Sequence, residues 1–455
     1  MTLRNTRAAV LDLTHGGTVI ARKLTKIAAS ITGIDVYQTL RSEELEALEQ
    51  EGIKTSQTPQ NVTDFEIIIS PIHLDPSYPM LVEAAKNNIP VISHHTAVGE
   101  IIRGALKGCT VIEITGTRAK TSTSVLLAEI LSRNKKVISH TSRGLEDWSK
   151  RHIIKNGLSI TPASILRAID VVEEAGIKLD VFIFEISLGG TGSSDIGVIT
   201  TIADDYKIAN NTKLASEAKR MMILDAKPGS TLVINHDALR YFGACRRDVN
   251  IISVSDSVNA AANVYYENIS SDGGTIAYFI GGRKGKINLR GTRDYDLLSY
   301  KTAFVCASAV ALAMDIEPDQ IERSMQEFKG AQGRMRKIKL NGRTLIDNSN
   351  SGMDIKGAEK ALEYAKTEEG RIVMVLGEEA KEVCEGLDPS GARRFIEKHL
   401  DEIYSLVLVG ERMKPLVSKN LNKIYHAENL FIGIEFALQL TREKDIIISC
   451  VKCFR

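Results

Sequence analysis

The sequence has no apolar run long enough to cross a bilayer, no block of like charge and no low-complexity tract. Lysine plus arginine (58) almost balance aspartate plus glutamate (57), leaving a formal net charge of +1. That balance offers no electrostatic footprint for nucleic acid or a membrane face, so neither is expected as a partner. Six cysteines, Cys109, Cys245, Cys306, Cys384, Cys450 and Cys453, are scattered rather than framed. This disfavours a disulfide-stapled secreted fold and favours a reducing, cytoplasmic compartment. Cys450 and Cys453 share two-residue spacing but have no second pair to complete a zinc site. They follow the strand-like run 446–449 and read as two strand cysteines. At 455 residues the chain exceeds one hydrophobic core, and two to four domains are expected.

Over residues 1–108, strand patterns at 8–13, 31–36, 65–70 and 90–93 alternate with helical patterns at 19–29 and 81–87. Such alternation predicts a parallel sheet with helices on its faces. Ligands of these sheets sit at the carboxyl ends of the strands. That rim carries Asp12, His15, Gly16, Asp35, His73, Asp75, His94 and His95. The turn Thr14-His15-Gly16-Gly17 is not a G-x-G-x-x-G fingerprint. A nicotinamide-dependent oxidoreductase, with Asp35 on a ribose, is therefore a lesser alternative.

A second α/β pattern, 109–330, opens on the most informative stretch of the chain. A β-branched run ends at Gly116; Thr117, Arg118, Ala119, Lys120, Thr121 and Ser122 follow; then Val125, Leu126, Leu127, Ile130 and Leu131 recur at helical spacing. Strand, phosphate-binding loop and helix have this layout. Backbone amides and the helix N-terminus face phosphate, a lysine reaches the outer phosphates and a hydroxyl meets Mg²⁺. A strict Walker A motif has glycine where Ala119 and Ile114 stand, so the stretch alone also fits an ordinary strand-to-helix turn. Apolar strands at 181–187, 198–206 and 232–237 come next, and Glu185 lies inside the first. A carboxylate there is costly to bury unpaired. It is either salt-bridged or a Mg²⁺ ligand. After a polar hinge at 330–336, strand patterns at 344–348, 372–377, 405–410 and 446–449 make a third α/β unit, 331–455.

Taken in order, these motifs resemble the Mur ligase family along essentially the whole chain. The loop at 116–122 is similar to the family's Gly-Thr-x-Gly-Lys-Thr-Thr, with Ala119 in place of glycine. Thr161-Pro162 resembles its Thr-Thr-Pro element, and Phe184-Glu185-Ile186-Ser187 the strand whose glutamate binds Mg²⁺. Tyr206 stands where a metal-binding histidine is usual, and Lys219 where several members carry a carbamylated lysine. Gly333-Arg334 resembles the arginine element that touches ATP phosphate, and Asp347-Asn348 the turn that holds the ribose.

The resemblance implies three consecutive α/β domains: a Rossmann-like substrate domain at 1–108, a central ATP-binding domain with a mostly parallel sheet at 109–330, and a Rossmann-like domain at 331–455. It implies ATP and Mg²⁺, with Lys120, Glu185 and Lys219 as catalytic residues. ATP would be held by residues 116–122, Arg334, Asp347 and Asn348, and Mg²⁺ by Thr121, Glu185, Tyr206 and Lys219. Details at 12–17, 73–76 and 142–148 differ from the peptidoglycan enzymes and look most like a member acting on a nickel tetrapyrrole. For that substrate His15, Gly16, Gly17, His73, His94 and His95 are candidate contacts, with Arg143 and Arg151 beyond them. The activity implied is phosphorylation of a carboxylate, followed by ring closure. Joining an amino acid to a carboxylated acceptor is the alternative. A non-catalytic nucleotide-binding protein is a further reading, suggested by Ala119 and Tyr206.

Overall fold

The computed structural model describes residues 3–242, 246–379, 386–417 and 422–454; Cys245 and Cys384 lie outside them. The chain forms two compact units. One comprises Met1–Tyr265, Tyr278–Gly285 and Val305–Glu317, and the other Tyr266–Ala277, Lys286–Phe304 and Pro318–Arg455.

The first unit begins with five parallel strands: β1 (Arg7–Leu11), β2 (Ser30–Ile34), β3 (Ile53–Ser56), β4 (Ile67–Ser70) and β5 (Val91–Ser93). Helices α1 (Thr18–Leu24), α2 (Ser42–Gln50), α3 (Pro79–Lys86) and α4 (His94–Ile102) connect or follow them. Every residue of β4 is buried, as a strand covered on both faces requires. Pro79 opens α3, where its fixed φ suits the first turn. Ser93 caps α4 by accepting from Thr96 N–H at 3.0 Å. The strand order is β3-β2-β1-β4-β5. Order reverses between β1 and β4, so the crevice beyond their carboxyl ends is the expected ligand site.

A larger sheet follows. Its parallel strands are β6 (Thr110–Thr115), β7 (Val137–Thr141), β10 (Val181–Glu185), β11 (Ile196–Ile199), β14 (Thr231–Asn235) and β15 (Asn250–Ser255). Two antiparallel strands, β8 (Gly144–Asp147) and β9 (His152–Lys155), extend one edge. The order across these strands is β15-β14-β11-β6-β10-β7-β8-β9. Between β11 and β14 lie the two-residue strands β12 (Lys207–Ile208) and β13 (Lys213–Leu214). Helix α5 (Lys120–Leu131) follows β6, α6 (Pro162–Glu174) precedes β10 and α7 (Ala215–Leu224) precedes β14.

One apolar cluster joins the two sheets of this unit. It takes Ile20 and Leu24 from α1, Val98 and Ile102 from α4, Ile165 and Ile169 from α6, and Phe182 and Phe184 from β10. Each fully buried side chain of this kind contributes about 1.5–3 kcal/mol. The nearby Lys23–Asp170 ion pair, partly exposed, adds about 0–1 kcal/mol. Burial therefore sets the position of the first sheet on the second.

The second unit holds a six-stranded sheet in the order Arg336–Leu340, Arg343–Asp347, Ile446–Lys452, Ile372–Glu378, Ser405–Val409, Ile424–Ala427. Only the first pair is antiparallel. Cys450 and Cys453 are buried on and just after a strand, and burial pushes the Cys450 thiol up. Among the described residues no helix is long and apolar enough to cross a membrane.

Two expected elements are shorter than their patterns. The helix expected at 19–29 ends at Leu24, where Ile27 N–H and Ala28 N–H both fold back onto Leu24 O. The strand expected over 198–206 ends at Ile199, because the following residues wrap the loop after β6 instead of extending the sheet.

Candidate active site

β6 delivers the chain to Gly116, whose φ is 147° and whose missing Cβ would lie 2.0 Å from Thr200 Oγ1. No other residue fits there. Thr200 Oγ1 donates to Arg118 O at 2.6 Å, and Thr117 N–H donates to Thr201 O at 2.9 Å, so the loop is pinned by the segment after β11. Ala119, immediately before α5, adopts φ 63° and ψ 2°. This left-handed shape costs a non-glycine residue about 1–2 kcal/mol. The backbone thus takes the glycine-type turn although the residue is alanine. Lys120 Nζ donates to Gly116 O at 3.0 Å, across the loop. Arg118 pairs with Asp204 at 2.9 Å.

Below the loop, Thr121 Oγ1 donates to Glu185 Oε1 at 3.0 Å, and Ser142 N–H donates to Glu185 Oε2 at 3.2 Å. Glu185 is buried at the end of β10. A buried carboxylate beside a helix-start hydroxyl is a set of hard oxygen donors, which suits Mg²⁺. Ser142 did not enter the site in the sequence reading; its signal is its place one residue beyond β7.

Lys219, on α7, has no exposed surface, and its Nζ has no hydrogen-bond partner. It lies 5.0 Å from the centre of the Tyr206 ring. Burial and the neighbouring Lys120 charge lower its pKa to about 7, with Asp205 opposing. A large fraction of this amine is therefore unprotonated near neutral pH, and an unprotonated amine is nucleophilic toward CO₂.

At the first sheet's rim, Asp12 is wholly buried with φ 62°. Its carboxylate accepts from His15 N–H at 3.1 Å and lies 3.0 Å from His15 Nδ1 and 3.3 Å from His73 Nε2. Burial works to raise the Asp12 pKa, but the bonds from His73 and His15 outweigh it and hold it below the usual carboxylate value. The two imidazoles meet edge to face at 5.5 Å, and Tyr37 lies against His15 at 5.2 Å. His94 bonds Leu11 O through Nε2 at 2.9 Å, and burial lowers its pKa to about 4. His95 is buried with neither ring nitrogen partnered. Burial, then His94, His73 and Lys219, lower it to about 3. Of the four histidines expected to touch substrate, His15 and His73 reach solvent and the α4 pair does not.

Gly16 packs so closely on α6 that a Cβ would lie 2.5 Å from Ala163 Cβ, and Gly17 N–H bonds Asp12 O at 3.2 Å. Asp35 is taken up by contacts among the loops after β1, β2 and β3, accepting from Thr14 Oγ1, Leu40 N–H and Gln57 Nε2. Arg143 and Arg151 pair with Glu146 and Glu129. Asn210, between β12 and β13, donates to Asp75 at 2.8 Å and ties the rim to the segment that leads to Lys219.

Residues 337–453 match the family model described as coenzyme F430 synthetase CfbE, C-terminal domain. Along its full length the chain is 44% identical to the coenzyme F(430) synthetase of Methanosarcina acetivorans, covering 100% of both. The chain belongs to the coenzyme F430 synthetase family. The coenzyme F(430) synthetase of Methanocaldococcus jannaschii is 24% identical, over 83% of this chain and 85% of its own. The crystal structure of MurF ligase from Thermotoga maritima in complex with ADP shares the fold, with TM-score 0.54, 14% identity and coverage of 94% and 92%. As a coenzyme F430 synthetase family member with a Mur ligase fold, the protein is an ATP-dependent ligase.

The second unit carries the remaining candidates. Gly333 N–H donates to Asp347 Oδ2 at 2.9 Å, and Ser449 Oγ donates to Asp347 Oδ1 at 3.1 Å. Asp347 is buried and braces the turn that presents Arg334, whose own carbonyl accepts from Tyr300 OH at 2.6 Å. Asn348 Nδ2 donates to Gly357 O at 3.2 Å.

Proposed function

We propose that the protein is a coenzyme F430 synthetase that closes the carbocyclic ring of 15,17(3)-seco-F430-17(3)-acid, a nickel tetrapyrrole, with conversion of ATP to ADP and phosphate. A carboxylate resists nucleophiles because of its charge. Transfer of the γ-phosphoryl group to a carboxylate oxygen gives an acyl phosphate and ADP. A ring carbon that has lost its proton then attacks the acyl carbon; the new C–C bond forms as the bond to phosphate breaks.

This chain's residues supply positioning and charge neutralisation. Lys120 and the amides of residues 116–122 hold the phosphates. Thr121, Glu185 and Lys219, the last as its carbamate, would hold Mg²⁺, with Tyr206 beside them. That ion would supply neutralisation of phosphate charge. Arg334, Asp347 and Asn348 are the ATP-contact candidates of the module 331–455, the third after the modules 1–108 and 109–330. His15, Gly16, Gly17 and His73 meet the macrocycle; His94 and His95 shape its floor. The work is done in the cytoplasm.

The observation that carries this reading is the 44% identity to the coenzyme F(430) synthetase of Methanosarcina acetivorans along the whole of both chains; within the site, what supports a carbamate is the orphaned amine of Lys219. Its field is felt by His95 of the rim, while Lys120 of the loop acts on it in turn. A buried amine with no partner is costly, and reaction with CO₂, with loss of a proton, would convert it to a carbamate anion able to bind the metal. The test is ADP release with ATP, Mg²⁺ and the seco acid as the only organic acceptor. Turnover without any amino acid supports the reading; turnover that requires an added amino acid contradicts it.

A further inference from the structure

The loops after β1 and β4 meet where the first sheet's strand order reverses. Three groups converge there: the Asp12 carboxylate, His15 Nδ1 and His73 Nε2, all within 4.8 Å of one another. The carboxylate stands 3.0 Å from one ring nitrogen and 3.3 Å from the other. Around an ion bound at about 2.0–2.1 Å, neighbouring donors lie about 2.8–3.0 Å apart in octahedral and about 3.3–3.4 Å apart in tetrahedral geometry. Both carboxylate–imidazole distances fall in that range.

We propose that Asp12, His15 and His73 form a binding site for a divalent first-row transition metal ion of the Ni²⁺, Zn²⁺ or Co²⁺ class. Two imidazoles with one carboxylate prefer such ions to Mg²⁺, which favours oxygen donors throughout. The site is therefore separate in chemistry from the one at Glu185.

Three further features fit an ion. Asp12 is buried, and among the described residues no lysine or arginine pairs with it; its partners are the two imidazoles and one backbone N–H. His94 bonds the carbonyl of Leu11, fixing the residue that precedes the carboxylate ligand, and outer contacts of this kind hold ligands in place. His15 and His73 keep 45% and 39% of their side-chain surface exposed, which gives an ion a way in. The remaining coordination positions take water or a carboxylate oxygen. Ion binding here does not depend on the ring-closing reading.

The test uses the full, untagged chain, freed of metal by a chelator and kept in excess Mg²⁺. Calorimetric titration with Ni²⁺, then separately with Zn²⁺, is expected to show one equivalent bound per chain. His15→Ala and His73→Ala each weaken it at least about tenfold, the size expected for a ligand or its support. The double variant loses it, and Lys120→Ala retains it. Nickel-edge X-ray absorption of the unmutated protein gives a reading independent of how the variants fold. It is expected to show imidazole scattering from two rings. Absence of stoichiometric binding, binding unchanged in a folded double variant, or a sulfur-containing nickel shell overturns the proposal.

Discussion

The loop after β6 and the rim after β1 both sit at carboxyl ends of parallel strands in one unit, yet they are built on different principles. The loop is a backbone device. Gly116, the left-handed turn at Ala119 and the start of α5 form a cradle whose shape depends on few side chains. The rim is a side-chain device. Asp12, His15 and His73 come from two loops separated by three strands' worth of sequence, and only the meeting of β1 with β4 brings them together. A backbone device has a sequence signature, because spacing along the chain determines it. A side-chain cluster assembled across a sheet has none.

The difference between the two regions can be tested by changing one and observing the other. The largest effect is expected from Lys120→Ala, which should lower ADP formation by at least about a thousandfold, as loss of a group that neutralises transferring phosphate does. Metal binding at the rim should stay unchanged; loss of both together would show that the regions are not separable. Glu185→Gln should raise the Mg²⁺ concentration for half-maximal activity by at least about tenfold, measured by Mg²⁺ titration at saturating ATP. An unchanged requirement removes Glu185 from the ion's ligands.

Lys219 feels the Lys120 charge and is felt by His95, and its effect is on stability. Its amine is held at about 7 in the fold against an ordinary lysine value of 10.5. Between those values the unfolded chain carries the proton and the folded chain does not, so stability rises with pH across that window. In CO₂-free buffer, urea unfolding at several pH values from 7 to 10 should show this slope in the parent and not in Lys219→Met. Equal slopes would mean the amine is not held near neutrality. The smallest effect is expected from Ala119→Gly. Relief of the left-handed alanine should stabilise the fold by about 1 kcal/mol with little change in turnover; destabilisation would mean that the Ala119 methyl does needed packing.

How much was legible follows from the same contrast. Strand β6, the loop and α5 were readable because a β-branched run, a glycine and a helical apolar pattern follow one another directly. Glu185 was readable because one carboxylate inside an apolar strand demands a partner, but the identity of that partner, Thr121 with Ser142 N–H, depends on β10 lying between β6 and β7. His94 and His95 looked like rim residues because they follow β5. The structure makes them the first turn of a buried helix, and their burial depends on α1 and α6 packing there, which no local pattern encodes. Asp12 was placed on the rim without a role, since its two histidine partners are visible only in three dimensions.

The central claim is that the terminal phosphoryl group of ATP passes to a carboxylate oxygen of the substrate. The most direct measurement is isotopic: run the reaction with the reacting carboxylate of the seco acid labelled with ¹⁸O and analyse the released phosphate by mass spectrometry. The account predicts phosphate carrying one ¹⁸O from the substrate. Unlabelled phosphate, formed alongside ring-closed product, would contradict it.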